Sequence, residues 1–272
     1  VPKALTATAS ASNKTYDGGT TASTTLTFTG LVGSETLGQT VGSTFDNKNV
    51  GSNKTVTVNS ITLADGSNGG LAANYSISAG QTTTAHISQK SLTVSGITAS
   101  NKIYDGNTVA TLDPIGVTYS GIVSGDSFAG SFSGSFSDKN IGTGKTVTIT
   151  SSYSGTDVSN YTVTDQSSTT ANITSRPLDV TGITVFGLTV NNKEYDGTVT
   201  APLKTDNISY SGLVDGDDFT GSYSGVFANA NVGNNKTVTI TSTYSGADAG
   251  NYTVTDQSSS TGNIVPKTLT AT

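Results

Sequence analysis

The sequence predicts an all-β chain made of three tandem β-sandwich domains in a rod. Three observations carry that expectation. First, one short stretch is spelled three times, as Lys14-Thr15-Tyr16-Asp17-Gly18, Lys102-Ile103-Tyr104-Asp105-Gly106 and Lys193-Glu194-Tyr195-Asp196-Gly197, with its tyrosines 88 and 91 residues apart. A period near 90 is too long for a solenoid repeat and suits a small domain repeated in tandem. Second, apolar and polar residues alternate in short runs, the mark of half-buried strands. Third, Gly, Ser and Thr are abundant and no long run shows helical periodicity; these residues are poor in helix interiors. About seven or eight strands per unit, with turns every 8–12 residues or so, is the spacing of a sandwich. The expected units are 1–89, 90–175 and 176–266, with 267–272 opening a further repeat, because Val265-Pro266-Lys267-Thr268-Leu269-Thr270 echoes Val1-Pro2-Lys3-Ala4-Leu5-Thr6.

Each repeat opens on an alternating run, Lys3 to Ser12 in the first. The threefold stretch then reads as a strand ending in a turn. Tyr suits a strand, Asp can bond its own following backbone, and Gly accepts positive φ. Ala22 to Thr29 alternates again, with Leu26 and Phe28 on one face. A turn follows in each repeat: Gly30-Leu31-Val32-Gly33-Ser34-Glu35, Gly121-Ile122-Val123-Ser124-Gly125-Asp126 and Gly212-Leu213-Val214-Asp215-Gly216-Asp217, each ending on an acid. Next come Phe45-Asp46-Asn47-Lys48-Asn49-Val50-Gly51 and its counterparts Phe136 to Gly142 and Phe227 to Gly233, where the aromatic is expected to anchor the core.

Lys54-Thr55-Val56-Thr57-Val58, matched by Lys145 to Ile149 and Lys236 to Ile240, is the clearest strand, with Val and Ile facing one way and Thr the other. Asn74-Tyr75-Ser76, Asn160-Tyr161-Thr162 and Asn251-Tyr252-Thr253 follow. The lead-in Asp248-Ala249-Gly250 to Asn251-Tyr252 resembles the tyrosine corner of immunoglobulin-like sandwiches, whose hydroxyl returns to nearby backbone; the first repeat departs, with Leu71-Ala72-Ala73 before Asn74. Each repeat closes on a strand, at Ala85-His86-Ile87, Ala171-Asn172-Ile173 and Gly262-Asn263-Ile264. No Gly/Ser-rich linker separates the units, so neighbours are expected at a restricted angle. The alternative fold is a β-grasp-like repeat, with its one short helix near Leu71 to Asn74 or Asp157 to Asn160.

Lys-x-Tyr-Asp-Gly, then Asn-x-Asn-[Val/Ile]-Gly (with Asp138 for the first Asn in the second repeat) and Asn-Tyr-[Thr/Ser], in that order three times, resembles the YDG-domain repeat. That family occurs in tandem in very long bacterial surface proteins similar to filamentous haemagglutinin and other secreted adhesins. The resemblance covers essentially the whole chain. It implies an extracellular place on the bacterial cell surface, and a stalk that holds a binding region away from the cell.

Composition removes several other readings. The formal net charge is −6 and the sequence pI about 4.6, without the basic patch that nucleic acid requires. No apolar run is long enough to span a bilayer as a helix. Cys is absent, so there is neither disulfide nor thiolate chemistry, and Met is absent too, which suggests a segment of something longer. The single histidine, His86, is answered by Asn172 and Asn263 in the other copies, which argues against a catalytic or metal role. No Gly-x-Ser-x-Gly elbow or phosphate loop is present, and the expectation is that the chain is not an enzyme.

Asp215, Asp217 and Asp218 are weak candidates for calcium, the one cofactor the sequence leaves open, since they offer three carboxylates on a turn. The structural motif residues are Tyr16, Asp17, Gly18, Tyr104, Asp105, Gly106, Tyr195, Asp196 and Gly197, with Tyr75, Tyr161 and Tyr252 at the corners. The expected partners are neighbouring repeats of the same chain, with host surface or polysaccharide contacted through other regions. The alternative function is a repeat that itself binds a host receptor or polysaccharide. For that reading Phe186, in the insert Thr184-Val185-Phe186-Gly187-Leu188, is the one aromatic outside a recurring core-like position.

Overall fold

The computed structural model describes residues 1–182, 184–185 and 192–270. Phe186 therefore lies outside the described residues. The chain is built of strands, and among the described residues there is no α-helix. The two places left open for a helix form single 3-10 turns, Ala72–Asn74 and Val158–Asn160, with a third at Ala249–Asn251.

Each repeat carries a five-stranded sheet in one strand order. The first repeat orders Lys14–Thr15, Thr82–Ser88, Gly51–Asp65, Leu37–Phe45 and Thr21–Ala22 side by side. The second orders Lys102–Ile103, Ser168–Thr174, Gly142–Ser154, Ala129–Phe136 and Val109–Ala110 in the same way. The third does so with Asn192–Glu194, Ser259–Val265, Gly233–Ser245, Thr220–Phe227 and Thr200–Ala201. The edge strand before each Tyr-Asp-Gly runs parallel to its neighbour.

Alternation fixes which face is inside. Val56 and Val58, Val147 and Ile149, and Val238 and Ile240 are buried, while the threonines between them face outward. Phe45 lies opposite Val56 and Phe227 opposite Val238, so each buried ring meets a β-branched side chain across the strands.

The central strand begins with a bulge in every copy, between Gly51 and Lys54, Gly142 and Lys145, and Gly233 and Lys236. The residue before each lysine has positive φ: Asn53, Gly144 and Asn235. Its amide donates to His86 Nδ1 (3.1 Å), Asn172 Oδ1 (2.7 Å) and Asn263 Oδ1 (2.7 Å) respectively. His86 thus serves as the acceptor that asparagine supplies elsewhere.

A smaller sheet accompanies the large one. In the second repeat Lys90–Ser95 lies between Thr118–Ser120, antiparallel, and Tyr161–Thr164, parallel. In the third, Arg176–Thr181 lies between Ser209–Ser211 and Tyr252–Thr255 in the same senses. The first repeat splits these roles: Lys3–Ala4 pairs Tyr75–Ser76, and Thr6–Ala11 pairs Thr24–Thr29.

Compactness does not follow the sequence repeat. One compact unit comprises residues 1–97, 114–132 and 150–167, and the other 98–113, 133–149 and 168–272. In the second of these, one buried cluster runs from Phe136, Val147 and Ile173 of the second repeat through Tyr104 to Tyr252, Leu178 and Val238 of the third. The core of that unit is therefore common to two successive repeats.

Candidate functional site

The functional geometry of each unit lies where one repeat meets the next, and it is built on Tyr-Asp-Gly. In all three copies the aspartate organises its own turn, as its residue type predicts. Asp17 accepts from the Gly19 amide (2.9 Å), Asp105 from Asn107 (3.2 Å) and Asp196 from Thr198 (2.8 Å). The lysine three residues earlier pairs with it at 2.7–2.8 Å. The glycine follows at φ +79°, +79° and +81°, a conformation that glycine adopts without strain.

The tyrosine then leaves the strand and enters the next repeat. Tyr16 is 1% exposed and its hydroxyl donates to the Asp126 carboxylate, 2.8 Å from Oδ2. Tyr161 donates to the same oxygen (2.5 Å) and accepts from the Val123 amide (2.9 Å), and the two rings meet edge to face at 5.5 Å. Lys48 closes the site from the first repeat, with Nζ 2.9 Å from Asp126 and 2.7 Å from Asp157. Asn160 finishes it: its Oδ1 accepts from the Val50 amide (2.9 Å), and its Nδ2 donates to Asn49 (3.2 Å). Gly18 faces the Val123 side chain so closely that an added Cβ would lie 2.7 Å from Cγ1.

The other compact unit has the same arrangement. Tyr104, 0% exposed, donates to Asp217 Oδ2 (2.9 Å), and Tyr252 donates to that oxygen too (2.6 Å) while accepting from the Val214 amide (3.0 Å). Lys139 reaches Asp248 (2.7 Å) and Asp217 (3.2 Å). The Ile141 amide donates to Asn251 Oδ1 (3.0 Å), which in turn donates from Nδ2 to Asn140 (3.1 Å). Gly106 faces Val214 as Gly18 faces Val123.

These groups hold one another in their charged or neutral forms. Burial alone pushes the Asp126 carboxyl up, but the Tyr161 hydroxyl, the Lys48 ammonium and the Tyr16 hydroxyl outweigh it and keep it below the usual range. Lys48 holds Asp157 low, and Lys139 holds Asp248 low. Both lysines are pushed up in return, chiefly by Asp157 and Asp248. Burial next to the carboxylates raises the Tyr161 and Tyr252 hydroxyls to about 12.

Three matches to the YDG-domain family model tile the chain, at residues 1–85, 88–171 and 179–261. The chain belongs to the YDG-domain family. Comparison with curated proteins and with solved structures gives no match. The tyrosine that names the YDG motif is, in the first two repeats, the plug of a repeat-to-repeat joint.

One expectation is changed by this geometry. The corner tyrosines do not return to nearby backbone. Tyr161 and Tyr252 bond amides 38 residues upstream, and Tyr75 bonds Val32 and Glu35. The small sheet is the cause in the second and third YDG repeats: it sets the corner strand one strand away from Thr118–Ser120 or Ser209–Ser211, and so beside the turn that follows. Two of the calcium candidates have partners within the fold. Asp217 is buried under Tyr104, Tyr252 and Lys139, and Asp218 accepts from the Ala247 amide (3.0 Å). No group of three His, Cys, Asp or Glu side chains able to hold a metal occurs among the described residues.

Tyr195 is the YDG-motif tyrosine without this setting, at 41% exposure. Sequence reasoning missed Lys48, Lys139, Asp157, Asp248, Asn160 and Asn251 as joint residues. Their signal was recurrence at positions where core packing requires no charge.

Proposed function

We propose that this chain is a spacer segment in the stalk of a bacterial cell-surface adhesin, outside the cell and without catalytic activity of its own. Its task is to hold a binding region away from the surface. The observation that supports this reading is the joint. Each joint closes a buried tyrosine, a lysine and two carboxylates from successive repeats into one hydrogen-bonded set, leaving little rotational freedom between them. Tandem YDG domains along the chain agree with such a spacer.

Small-angle scattering tests the spacer reading. Strands rising about 3.3 Å per residue give a sandwich roughly 35–40 Å long, so three repeats joined end to end reach on the order of 110–130 Å. A maximum dimension of about 60–70 Å, that of a compact globule of this mass, overturns it.

A further inference from the structure

The small sheet is zipped further in the second and third repeats than in the first. Residues 90–93 pair rung by rung with Tyr161–Thr164, and residues 176–179 with Tyr252–Thr255. In the first repeat the same ladder has only the rungs Lys3 to Tyr75 and Ala4 to Ser76, and it ends where the Leu5 amide donates to Ser76 O (2.8 Å). Beyond that point the strands part. One is drawn into a hairpin, Thr6–Ala11 against Thr24–Thr29. The other is drawn into the large sheet, where Gly80 donates to Val58 O and Val58 to Gln81 O, both at 2.9 Å. The cause lies inside the repeat. From Lys3 to Lys14 it is one residue shorter than the second repeat from Lys90 to Lys102, with no counterpart of Gly96, and Gln81 stands six residues after its corner tyrosine where Gln166 and Gln257 stand five.

The fork leaves a cleft of about 530 Å³ between residues 4–7 and 76–81, within the range of ligand sites. None of these residues is charged or aromatic, so an ionic ligand finds no counter-charge there and a sugar ring no aromatic face. What the cleft offers is backbone. The Ser12 amide donates to Ser23 O across the hairpin (3.0 Å), so the even-numbered residues of that strand bond the hairpin partner, and Ala7 turns its N–H and C=O toward the cleft. Gln81 supplies the side chain. Twice elsewhere a glutamine amide grips both backbone groups of one residue. Gln166 accepts from the Ile97 amide (2.9 Å) and donates to Ile97 O (2.7 Å), and Gln39 does the same to Leu26 at 2.9 and 2.7 Å. At Gln81 the grip is half made: Nε2 donates to Ser78 O (2.8 Å), and Oε1 is buried without a hydrogen-bond partner. A buried acceptor left unpaired is unfavourable, and a peptide N–H satisfies it.

We propose that this cleft binds an extended, uncharged peptide segment of a partner protein. The segment adds as a strand to the open edge at Ala7, and Gln81 turns to take its backbone N–H and C=O as Gln166 takes those of Ile97. This binding does not rest on the spacer reading.

An NMR titration of the isotope-labelled full chain tests it. The probe is a capped synthetic peptide of sequence Ser-Leu-Thr-Val-Ser-Gly-Ile-Thr, that of residues 91–98, which is uncharged and carries the residue that Gln166 grips. Saturating shifts at residues 5–7 and 76–81 are expected, with a Kd between about 0.1 and 2 mM. Gln81→Ala is expected to weaken binding about tenfold, with unchanged shifts in the second repeat showing that the fold is intact. The same peptide N-methylated at alternate residues keeps its side chains but loses its ladder donors, and is expected not to bind. No shift up to about 5 mM peptide overturns the proposal. So do shifts confined to other residues, or equal binding by Gln81→Ala or by the N-methylated peptide. Maltoheptaose moving the same resonances would assign the cleft to a saccharide, and shifts that follow the concentration of the chain alone would assign it to a second copy; either result overturns the proposal too.

Discussion

At the scale of single residues, the joint depends on groups whose removal strands a buried partner. Tyr252→Phe deletes one hydroxyl, yet it leaves the Val214 amide without an acceptor and takes from Asp217 one of its donors, with Tyr104 and Lys139 remaining. A loss of about 1–3 kcal/mol is expected in the denaturation midpoint of the unit that contains it, since unpaired buried polar groups cost that much. The glycines give a sharper comparison. Gly106→Ala meets the positive-φ penalty and also drives a methyl to within 2.8 Å of Val214, so about 2–3 kcal/mol is expected. Gly197→Ala meets the penalty alone, with open space around it, and about 1 kcal/mol is expected. Equal losses at the two positions, read from urea titrations, would count against the joint as described.

At the scale of the elements, the joint has a defined pH window. Asp126, Asp157 and Asp248 are held below their ordinary values in the folded chain. Their contribution is present above the ordinary carboxylate range near about pH 4 and is lost as pH falls through the folded values. The Tyr161 and Tyr252 hydroxyls are raised from 10.0 to about 12. A raised group contributes fully below its unfolded value, so this stability is present below about pH 10 and is lost as pH climbs toward 12. Lys48 and Lys139, also raised, act in the same direction. Melting temperatures are expected to hold level from about pH 5 to 9 and to fall on both sides. Tyr252→Phe should lessen the alkaline fall of its own unit, because one of the groups that titrate there is gone while Lys139 remains.

At the scale of the whole molecule, the units of folding need not be the units of sequence. Three YDG domains tile the chain, yet contacts gather into two compact units, one of them with a core shared by the second and third repeats. Calorimetry is therefore expected to resolve two cooperative transitions rather than three. Tyr104→Ala empties a fully buried site in that shared core and should lower one transition by about 3–5 kcal/mol while sparing the other. Three transitions, with only the second displaced, would show that each repeat folds alone.

Much of this protein was determined by its sequence alone. Strict alternation in stretches such as Lys54 to Val58 set the strands and their buried face, because side chains point to opposite faces with a period of two. Asp-Gly set the turns, through an aspartate that bonds its own backbone and a glycine free to take positive φ. What tertiary structure decided was the destination of the tyrosine. From sequence, Tyr16 is a strand residue before a turn; in the fold it belongs to Asp126, 110 residues on, and Lys48 belongs there with it. No local pattern carries that pairing. It arises because the three strands of the small sheet set the Val123–Asp126 turn beside Tyr161, leaving two carboxylates that need donors. The donors come from a different repeat, and burial makes leaving those carboxylates unpaired the costlier outcome.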